Sequence, residues 1–180
     1  SFSPGAYVDR REAVVHRFPL SVHPVDAPDV PELLATSGMT KTQFVSRLSR
    51  LRLTARFLGF RAGFAYLDGI PEEWAMTRRS ATRARVPSGS FGIAGRSAGF
   101  YPIESPGGWN LIGRTSEVLW EPSASPPNRI AAGDVVVLEP TEDRLTFPTI
   151  QRGSLSDAGE PFAEVAAAGA LSVVITERMM

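Results

Sequence analysis

The pattern of apolar residues changes along this chain. An extended apolar run at 14–22 predicts a strand, and apolar residues then recur at helical spacing up to residue 51. From residue 53 onward, aromatic and β-branched residues occur in short runs separated by glycine and proline, which predicts strands. These strands are expected at 53–60, 64–67, 90–94, 99–103, 109–113, 117–120, 135–139 and 144–147. Many short strands with turn-rich spacing favour a β-barrel or a β-sandwich.

Capping signals predict a helical hairpin ahead of the β-rich region. Asp29 and Glu32 have the spacing of a capping box, in which the two side chains bond reciprocally to backbone N–H groups. Gly38 is placed to end this first helix in a left-handed conformation. Thr40 and Gln43 repeat the capping-box spacing at the start of a second helix.

Composition and charge exclude several classes of function. The chain has 180 residues, of which 43% are hydrophobic, so it can bury the core of one or two small soluble domains. Lysine plus arginine and aspartate plus glutamate number 19 each, which leaves no net charge to attract nucleic acid or a membrane surface. The absence of cysteine excludes disulfides and thiolate chemistry, and no apolar run is long enough to span a membrane. We expect a cytoplasmic protein.

A serine-hydrolase motif occurs at 95–99 but lacks its structural context. This G-x-S-x-G pattern requires a helix directly after the serine, whereas Pro102 and the glycines that follow cannot hold one. In that fold the catalytic histidine also follows the serine, but His16 and His23 precede it. The sequence therefore argues against a serine nucleophile.

The two histidines and the scattered carboxylates also lack metal-ligand spacing, so no metal site is expected.

The segment 108–115 differs from a phosphate-binding Walker A motif by Arg114, which occupies the lysine position. A P-loop must open a helix, and the following residues favour a strand, so this function is rejected. Two interpretations stay open: Arg114 holds a carboxylate or phosphate in a bidentate fork, or it is a surface residue of a tight turn.

Four arginines cluster within eight residues of the sequence. They are Arg78, Arg79, Arg83 and Arg85. Zero net charge and the lack of interleaved aromatic residues argue against nucleic acid. A solvated face, or a cleft for a carboxylate or nucleotide, remains open.

Two long segments resemble the signature of the KipI-like family. They read FLGFRAGFAYLDGIPEEW at 57–74 and TRRSATRARVPSGSFGIAGRSAGFYPIESPGGWNLIGRT at 77–115. The family is also described as allophanate hydrolase subunit 1, as a carboxyltransferase-domain subunit or as one of the 5-oxoprolinase subunits, and the resemblance covers roughly 29–140. This chain departs from the pattern at Ala62, where relatives usually have proline, and at 96–98, where Gly-Gln-Thr is more usual.

The resemblance implies a mainly β fold built on a cyclophilin-like β-barrel, with a small α+β N-terminal remnant. The expected divisions are a remnant at 1–78, the barrel at 79–148, and a linker with a possible partner-docking strand at 149–180. Most of the family's N-terminal domain is expected to be missing. The chain starts at Ser1 without methionine, which fits a fragment.

The resemblance also implies a function within a complex. Such proteins act with a KipA-like partner, also called subunit 2, and with a third protein. Together they use ATP with magnesium to open 5-oxoproline to glutamate, so the chain is not expected to be active alone. One alternative is a non-catalytic module that inhibits a sensor histidine kinase. Another is a component of urea or allophanate metabolism.

We expect the substrate pocket in the segment that carries the resemblance. Arg85 and Arg114 would neutralise a phosphate or carboxylate, and Glu104 would orient water or a substrate N–H, with Tyr101 as the second catalytic candidate. The further expected binding residues are Asn110, Ser105, Gly107 and Gly108.

Overall fold

The computed structural model describes residues 12–148, and the expected linker and docking strand at 149–180 lie outside the described residues. Within them the chain forms nine strands, two helices and one short 3-10 turn. The strands are β1 (Val15–Ser21), β2 (Arg52–Leu58), β3 (Ala65–Asp68), β4 (Arg83–Val86), β5 (Ser90–Ala94), β6 (Ser97–Phe100), β7 (Ser105–Gly107), β8 (Asn110–Arg114) and β9 (Val135–Thr141). The helices are α1 (Val30–Ser37) and α2 (Lys41–Leu48), and the 3-10 turn is Glu72–Trp74.

Seven strands close into a barrel in the order β1, β8, β5, β6, β3, β2, β9. The closing pair of β9 and β1 is parallel, whereas the other barrel pairs are antiparallel. Strands β4 and β7 form a separate two-stranded sheet. The expected mainly β fold with a barrel is therefore confirmed. However, β1, β2 and β3 all precede residue 79, so the expected domain boundary at residue 78 falls inside the barrel.

The helical hairpin forms as expected, with one difference at its start. Thr40 and Gln43 make the predicted capping box, and Gly38 ends α1 with φ of 66°. Asp29 precedes α1 but makes no side-chain cap hydrogen bond, so the capping box predicted for Asp29 and Glu32 is wrong. The Asp29 carboxylate instead bonds to groups of the β region, as described below. No helix in residues 12–148 is long and apolar enough to cross a membrane.

Two of the predicted strands do not form, and two of the observed strands were not predicted. Residues 117–120 and 144–147 are not strands; Trp120 makes only an isolated bridge with Asn128. The prolines that follow Trp120 interrupt extended pairing there. Strands β4 and β7 were missed because their sequences, RARV and SPG, carry almost no apolar signal.

Aromatic residues fill the barrel core. Phe18 of β1 and Phe91 of β5 both pack against Phe100 of β6, with ring centroids 5.3 Å and 4.7 Å apart. The hairpin adds a second contact, in which Phe44 of α2 packs against Trp74 at 5.2 Å. Burying each such side chain contributes about 1.5–3 kcal/mol. This packed core therefore holds the strands of the barrel wall in place.

Candidate functional site

A pocket of about 210 Å³ lies where four parts of the chain meet. The loop after β1, the segment from β4 to the start of β5, strand β8 and the segment after β9 each contribute to its wall. Its charged lining residues are Asp26, Arg83, Arg85, Arg114 and Arg144, and the others are Val25, Pro28, Pro87, Ser90 and Leu111. We call it the arginine pocket. Four guanidinium groups around one small cavity make it suited to an anion.

Arg114 is held in the arginine pocket by its strand and by two side contacts. It ends β8 opposite Ser21 of β1 and Ser90 of β5. Its Nε donates to the carbonyl of Ser88 at 2.8 Å, and its guanidinium lies 3.7 Å from the centre of the Phe147 ring. No described residue accepts a hydrogen bond from its Nη groups. Arg114 therefore keeps an oriented fork available to a ligand.

Burial lowers the pKa of Arg114. The Asp26 carboxylate acts in the opposite direction and raises this pKa, while the positive charge of Arg144 adds to the lowering. An arginine side chain nevertheless stays protonated in proteins. A bound anion would relieve the cost of burying this charge, which makes the site receptive to one.

Asp26 is the carboxylate in the wall of the arginine pocket, and sequence reasoning missed it. Its side chain is only 2% exposed. The hydroxyl of Ser21 donates to its Oδ2 at 2.9 Å, while Arg144 Nε lies 3.7 Å from Oδ2 and Arg114 Nη1 lies 3.9 Å from Oδ1. These two ion pairs are too long to be hydrogen bonds. No signal in the sequence singled out Asp26 or Arg144, because both belong to loops without a motif.

Arg83 also lines the arginine pocket but is occupied by a structural carboxylate. Its Nη2 donates to Asp29 Oδ1 at 2.7 Å, and Arg79 Nη1 donates to the same oxygen at 3.0 Å. The backbone N–H of Leu111 donates to Asp29 Oδ2 at 2.6 Å. Two of the clustered arginines therefore join α1 to the β region, and they are not free to bind a ligand.

Arg85 and Glu104 form an ion pair at the rim. Arg85 Nε lies 3.2 Å from Glu104 Oε1, and their side chains are 69% and 48% exposed. An exposed pair of this kind contributes about 0–1 kcal/mol and exchanges readily with water. Arg85 is among the residues that line the arginine pocket, whereas Glu104 is not.

Tyr101 lies outside the arginine pocket, in a second buried cluster. Its ring packs edge-on against Phe64 with centroids 5.7 Å apart. Gly107 lies against the same ring, since a Cβ there would be 2.7 Å from its Cε1. Burial raises the pKa of Tyr101, and a backbone hydrogen bond with Trp109 partly opposes this shift. The phenol is therefore neutral near pH 7 and is not placed to act as a base in the arginine pocket.

The remaining expected site residues lie on β7, on β8 or between them, and none of them is among the residues that line the arginine pocket. Asn110 Nδ2 donates to the carbonyl of Thr77 at 2.9 Å, and the carbonyl of Gly108 accepts a bond from Arg79 N–H at 2.9 Å. The Ser105 hydroxyl is buried without a hydrogen-bond partner among the described residues. Of the expected site residues, the structure brings only Arg85 and Arg114 together in the arginine pocket.

Two larger surface depressions lack such a concentration of charge. One of about 500 Å³ lies beside α2, and one of about 440 Å³ lies beside the proline-rich loop at 118–129. Each includes a single arginine in its wall. Among residues 12–148, no group of three histidine, aspartate or glutamate residues is placed to hold a metal ion.

Comparisons with known proteins agree on one family. The sequence profile described as "Carboxyltransferase domain, subdomain C and D" matches residues 5–130. A 5-oxoprolinase subunit from Escherichia coli O157:H7 is 40% identical over 116 residues, which are 64% of this chain and 53% of that protein. The corresponding 5-oxoprolinase subunit from Bacillus subtilis is 38% identical over 109 residues, which are 61% of this chain and 45% of that protein. The chain spans about half the length of the curated relatives it matches.

Solved structures show the same fold. A conserved uncharacterized protein from Pyrococcus horikoshii superimposes with a TM-score of 0.68 at 36% identity, covering 72% of this chain and 60% of that one. The urea carboxylase of Kluyveromyces lactis gives a TM-score of 0.60 at 17% identity over 72% of this chain and 14% of that one, which shows similarity of fold alone. The chain belongs to the carboxyltransferase-domain family of subdomains C and D, the KipI-like proteins that include these 5-oxoprolinase subunits.

Proposed function

We propose that this chain is part of an ATP-dependent complex that opens 5-oxoproline to glutamate, and that its arginine pocket binds the substrate carboxylate. The observation that carries the proposal is the oriented, partly buried fork of Arg114, whose Nη groups bond to no described residue. Arg85 and Arg144 add positive charge around the same cavity. The curated relatives are named as 5-oxoprolinase subunits, which supports a place for this chain in a 5-oxoprolinase complex of several subunits.

The arginine pocket fits a small carboxylate better than a nucleotide. Its volume of about 210 Å³ lies below the range of about 300–1,000 Å³ usual for pockets that hold drug-sized ligands. The described residues also offer no carboxylate cluster for magnesium. We therefore assign ATP and its magnesium to other parts of the complex, and we expect a KipA-like protein as the partner. On this proposal the chain works in the cytoplasm and is inactive alone.

Glu104 and Arg85 have a defined place in this proposal. The Glu104–Arg85 pair is exposed, so a substrate carboxylate that reaches the rim can replace Glu104 as the partner of Arg85. The displaced Glu104 would then accept a hydrogen bond from water or from the substrate amide. This proposal gives Glu104 a binding role at the entrance.

The test is a coupled assay of the chain co-expressed with its KipA-like partner and the third protein. ATP hydrolysis and glutamate formation should both depend on 5-oxoproline. Arg114→Ala should raise the KM for 5-oxoproline about 10-fold or more, because a charge-assisted hydrogen bond contributes roughly 1.5–3 kcal/mol. The KM of Arg114→Lys should lie between those of the unmodified complex and Arg114→Ala, because lysine keeps the charge but not the planar pair of donors.

The matched control is Arg17→Ala, which removes an exposed arginine from the barrel wall. Arg17 Nη1 lies 3.6 Å from Glu139 Oε1, and both side chains are more than half exposed. This variant should keep the KM of the unmodified complex. An Arg114→Ala complex with unchanged KM and turnover would contradict the proposal. Urea and allophanate, tried as substrates in the same assay, test the alternative in urea metabolism.

A second candidate function is a binding module that inhibits a sensor histidine kinase. It is favoured by two large exposed side chains, Phe57 and Phe60, which are 52% and 58% exposed at the end of β2 and in the loop that follows it. Phe57 stacks on Tyr66 at 4.5 Å, which holds the apolar surface in place. This candidate gains support if no combination of partners gives turnover and if Phe60→Ser abolishes kinase inhibition.

A further inference from the structure

We infer that Asp26 makes the arginine pocket selective for a carboxylate with an N–H group next to it, as in a lactam or an N-acyl amino acid, over an anion that only accepts hydrogen bonds. The inference rests on the proposed function for the reaction, but the recognition chemistry comes from the geometry of the arginine pocket. It adds Asp26 and Arg144 to the residues that bind the ligand.

Asp26 has unused capacity to accept hydrogen bonds. A carboxylate offers about four acceptor sites, so a single hydrogen bond leaves it able to accept more. The hydroxyl of Ser21 fills one site on Oδ2, but Oδ1 accepts no hydrogen bond from any described residue. Because Asp26 lines the arginine pocket, a ligand there can supply the missing donor.

The two nearest arginines lie close to Asp26 but do not donate hydrogen bonds to it. Arg114 Nη1 and Arg144 Nε lie 3.9 Å and 3.7 Å from its oxygens, close enough for charge attraction but too far for hydrogen bonds. No hydrogen bond to the Arg144 guanidinium is present among the described residues. The arginine pocket thus presents two cationic donors and one anionic acceptor side by side.

This combination matches one class of ligand and opposes another. A lactam such as 5-oxoproline carries its N–H on the atom next to the carbon that bears the carboxylate. Its carboxylate can bond to the arginines while its N–H donates to Asp26 Oδ1. Phosphate in its dianionic form is mainly an acceptor, so it would leave Oδ1 unsatisfied and bring negative charge towards it.

The geometry of the loop after β1 explains why Asp26 stays in place. The backbone N–H groups of Asp26 and Ala27 both donate to the carbonyl of His23, at 2.8 Å and 2.9 Å, which closes a turn. Ser21 anchors the carboxylate from the end of β1. Since the turn and the strand are both fixed, Asp26 meets a ligand with little loss of conformational freedom.

The experiment measures binding to the full chain co-expressed with its partner, by isothermal calorimetry. The probes are 5-oxoproline, the lactone analogue in which oxygen replaces the ring N–H, N-acetylglycine and inorganic phosphate. The unmodified protein should bind 5-oxoproline about 10- to 100-fold more tightly than the lactone, because an analogue that lacks the donor leaves a polar group unpaired. N-acetylglycine should bind, and phosphate should bind most weakly.

Two variants separate the acceptor role of Asp26 from its charge. Asp26→Leu should bring the lactam-to-lactone ratio close to one and strengthen phosphate binding. Asp26→Asn keeps an acceptor oxygen but loses the charge, so it should strengthen phosphate binding while retaining part of the lactam preference. Equal binding of lactam and lactone by the unmodified protein, or an unchanged ratio in a folded Asp26→Leu variant, would overturn the inference. If Asp26→Leu does not fold, the unmodified protein and Asp26→Asn decide the question.

The outcomes also distinguish this inference from the proposed function. A lactam preference that depends on Asp26, without 5-oxoproline turnover by any assembled complex, keeps the inference and rejects the reaction. Turnover of 5-oxoproline with equal binding of lactam and lactone keeps the reaction and rejects the inference.

Discussion

Asp29 joins the start of helix α1 to the β region, and replacing it with alanine should destabilise the fold substantially. Its carboxylate receives hydrogen bonds from Arg79, Arg83 and the backbone N–H of Leu111, at 3.0 Å, 2.7 Å and 2.6 Å. The backbone N–H of Asp29 also donates to the carbonyl of Leu111 at 3.1 Å. Alanine removes the three side-chain bonds and leaves the backbone bond in place.

The size of the effect follows from the burial of the partners. Removing one partner of a buried ion pair costs about 3–5 kcal/mol, because the other charge is left without compensation. The Asp29 side chain is 5% exposed, but Arg79 and Arg83 are 34% and 25% exposed, so both guanidiniums can recover water. The buried N–H of Leu111 cannot recover it as easily. We therefore expect a loss of about 3 kcal/mol, at the lower end of this range, or roughly 6–12 °C in Tm.

The assay is urea unfolding followed by tryptophan fluorescence, with thermal unfolding as a second measurement. Asp29→Asn should lose about half as much free energy of unfolding as Asp29→Ala, because the amide oxygen still accepts a hydrogen bond from Leu111 N–H but carries no charge. The matched control is Asp68→Ala, since Asp68 Oδ2 pairs with Arg56 at 2.9 Å and both side chains are exposed. That variant should stay within about 1 kcal/mol of the unmodified protein. If Asp29→Ala is no less stable than Asp68→Ala, the burial argument is refuted.

Two further predictions concern the buried cluster around Tyr101. Because burial raises the pKa of Tyr101, the neutral phenol contributes its full stability below about pH 10 and loses it as the pH rises through the folded-state pKa. Tyr101→Phe should therefore lose less free energy of unfolding than the unmodified protein as the pH rises above about 10. Urea unfolding across the alkaline pH range measures this difference. Gly107→Ala should cost about 1–3 kcal/mol by overpacking against Tyr101, whereas Gly59→Ala, whose Cβ would have ordinary contacts at 3.7 Å, should change stability little in the same unfolding assay.

Local sequence patterns predicted an element correctly where the residues of that one segment determine its structure. The alternating and continuous apolar runs predicted most barrel strands, and strand β5 matches its predicted range of 90–94. The capping box of Thr40 and Gln43 was predictable because all its atoms lie within one turn. Strand β4 could not be found in this way, since its residues form a strand only because β7 pairs with it.

The candidate site could be predicted only in part. The motif around Arg114 left an anion-binding side chain and a surface residue of a tight turn equally open, and Arg85 was expected in the site from the segment that carries the resemblance. Tyr101 and Gly107 were also predicted as site residues, but a glycine beside an aromatic ring can equally serve close packing, and in the structure Gly107 lies against the Tyr101 ring outside the arginine pocket. Local sequence offers no way to choose between these two uses of glycine.

The amino-acid sequence by itself determined the mainly β class, the helical hairpin and the family, because apolar spacing, capping and motif identity are local properties. Only the tertiary structure decided which charges meet. Asp29 was expected to cap its own helix but bonds to Arg83, 54 positions along the chain, and Asp26 reaches Arg114 and Arg144 only after the barrel closes. The physical reason is that an ion pair depends on the distance between two atoms, and for residues far apart in the chain the packing of the whole fold sets that distance.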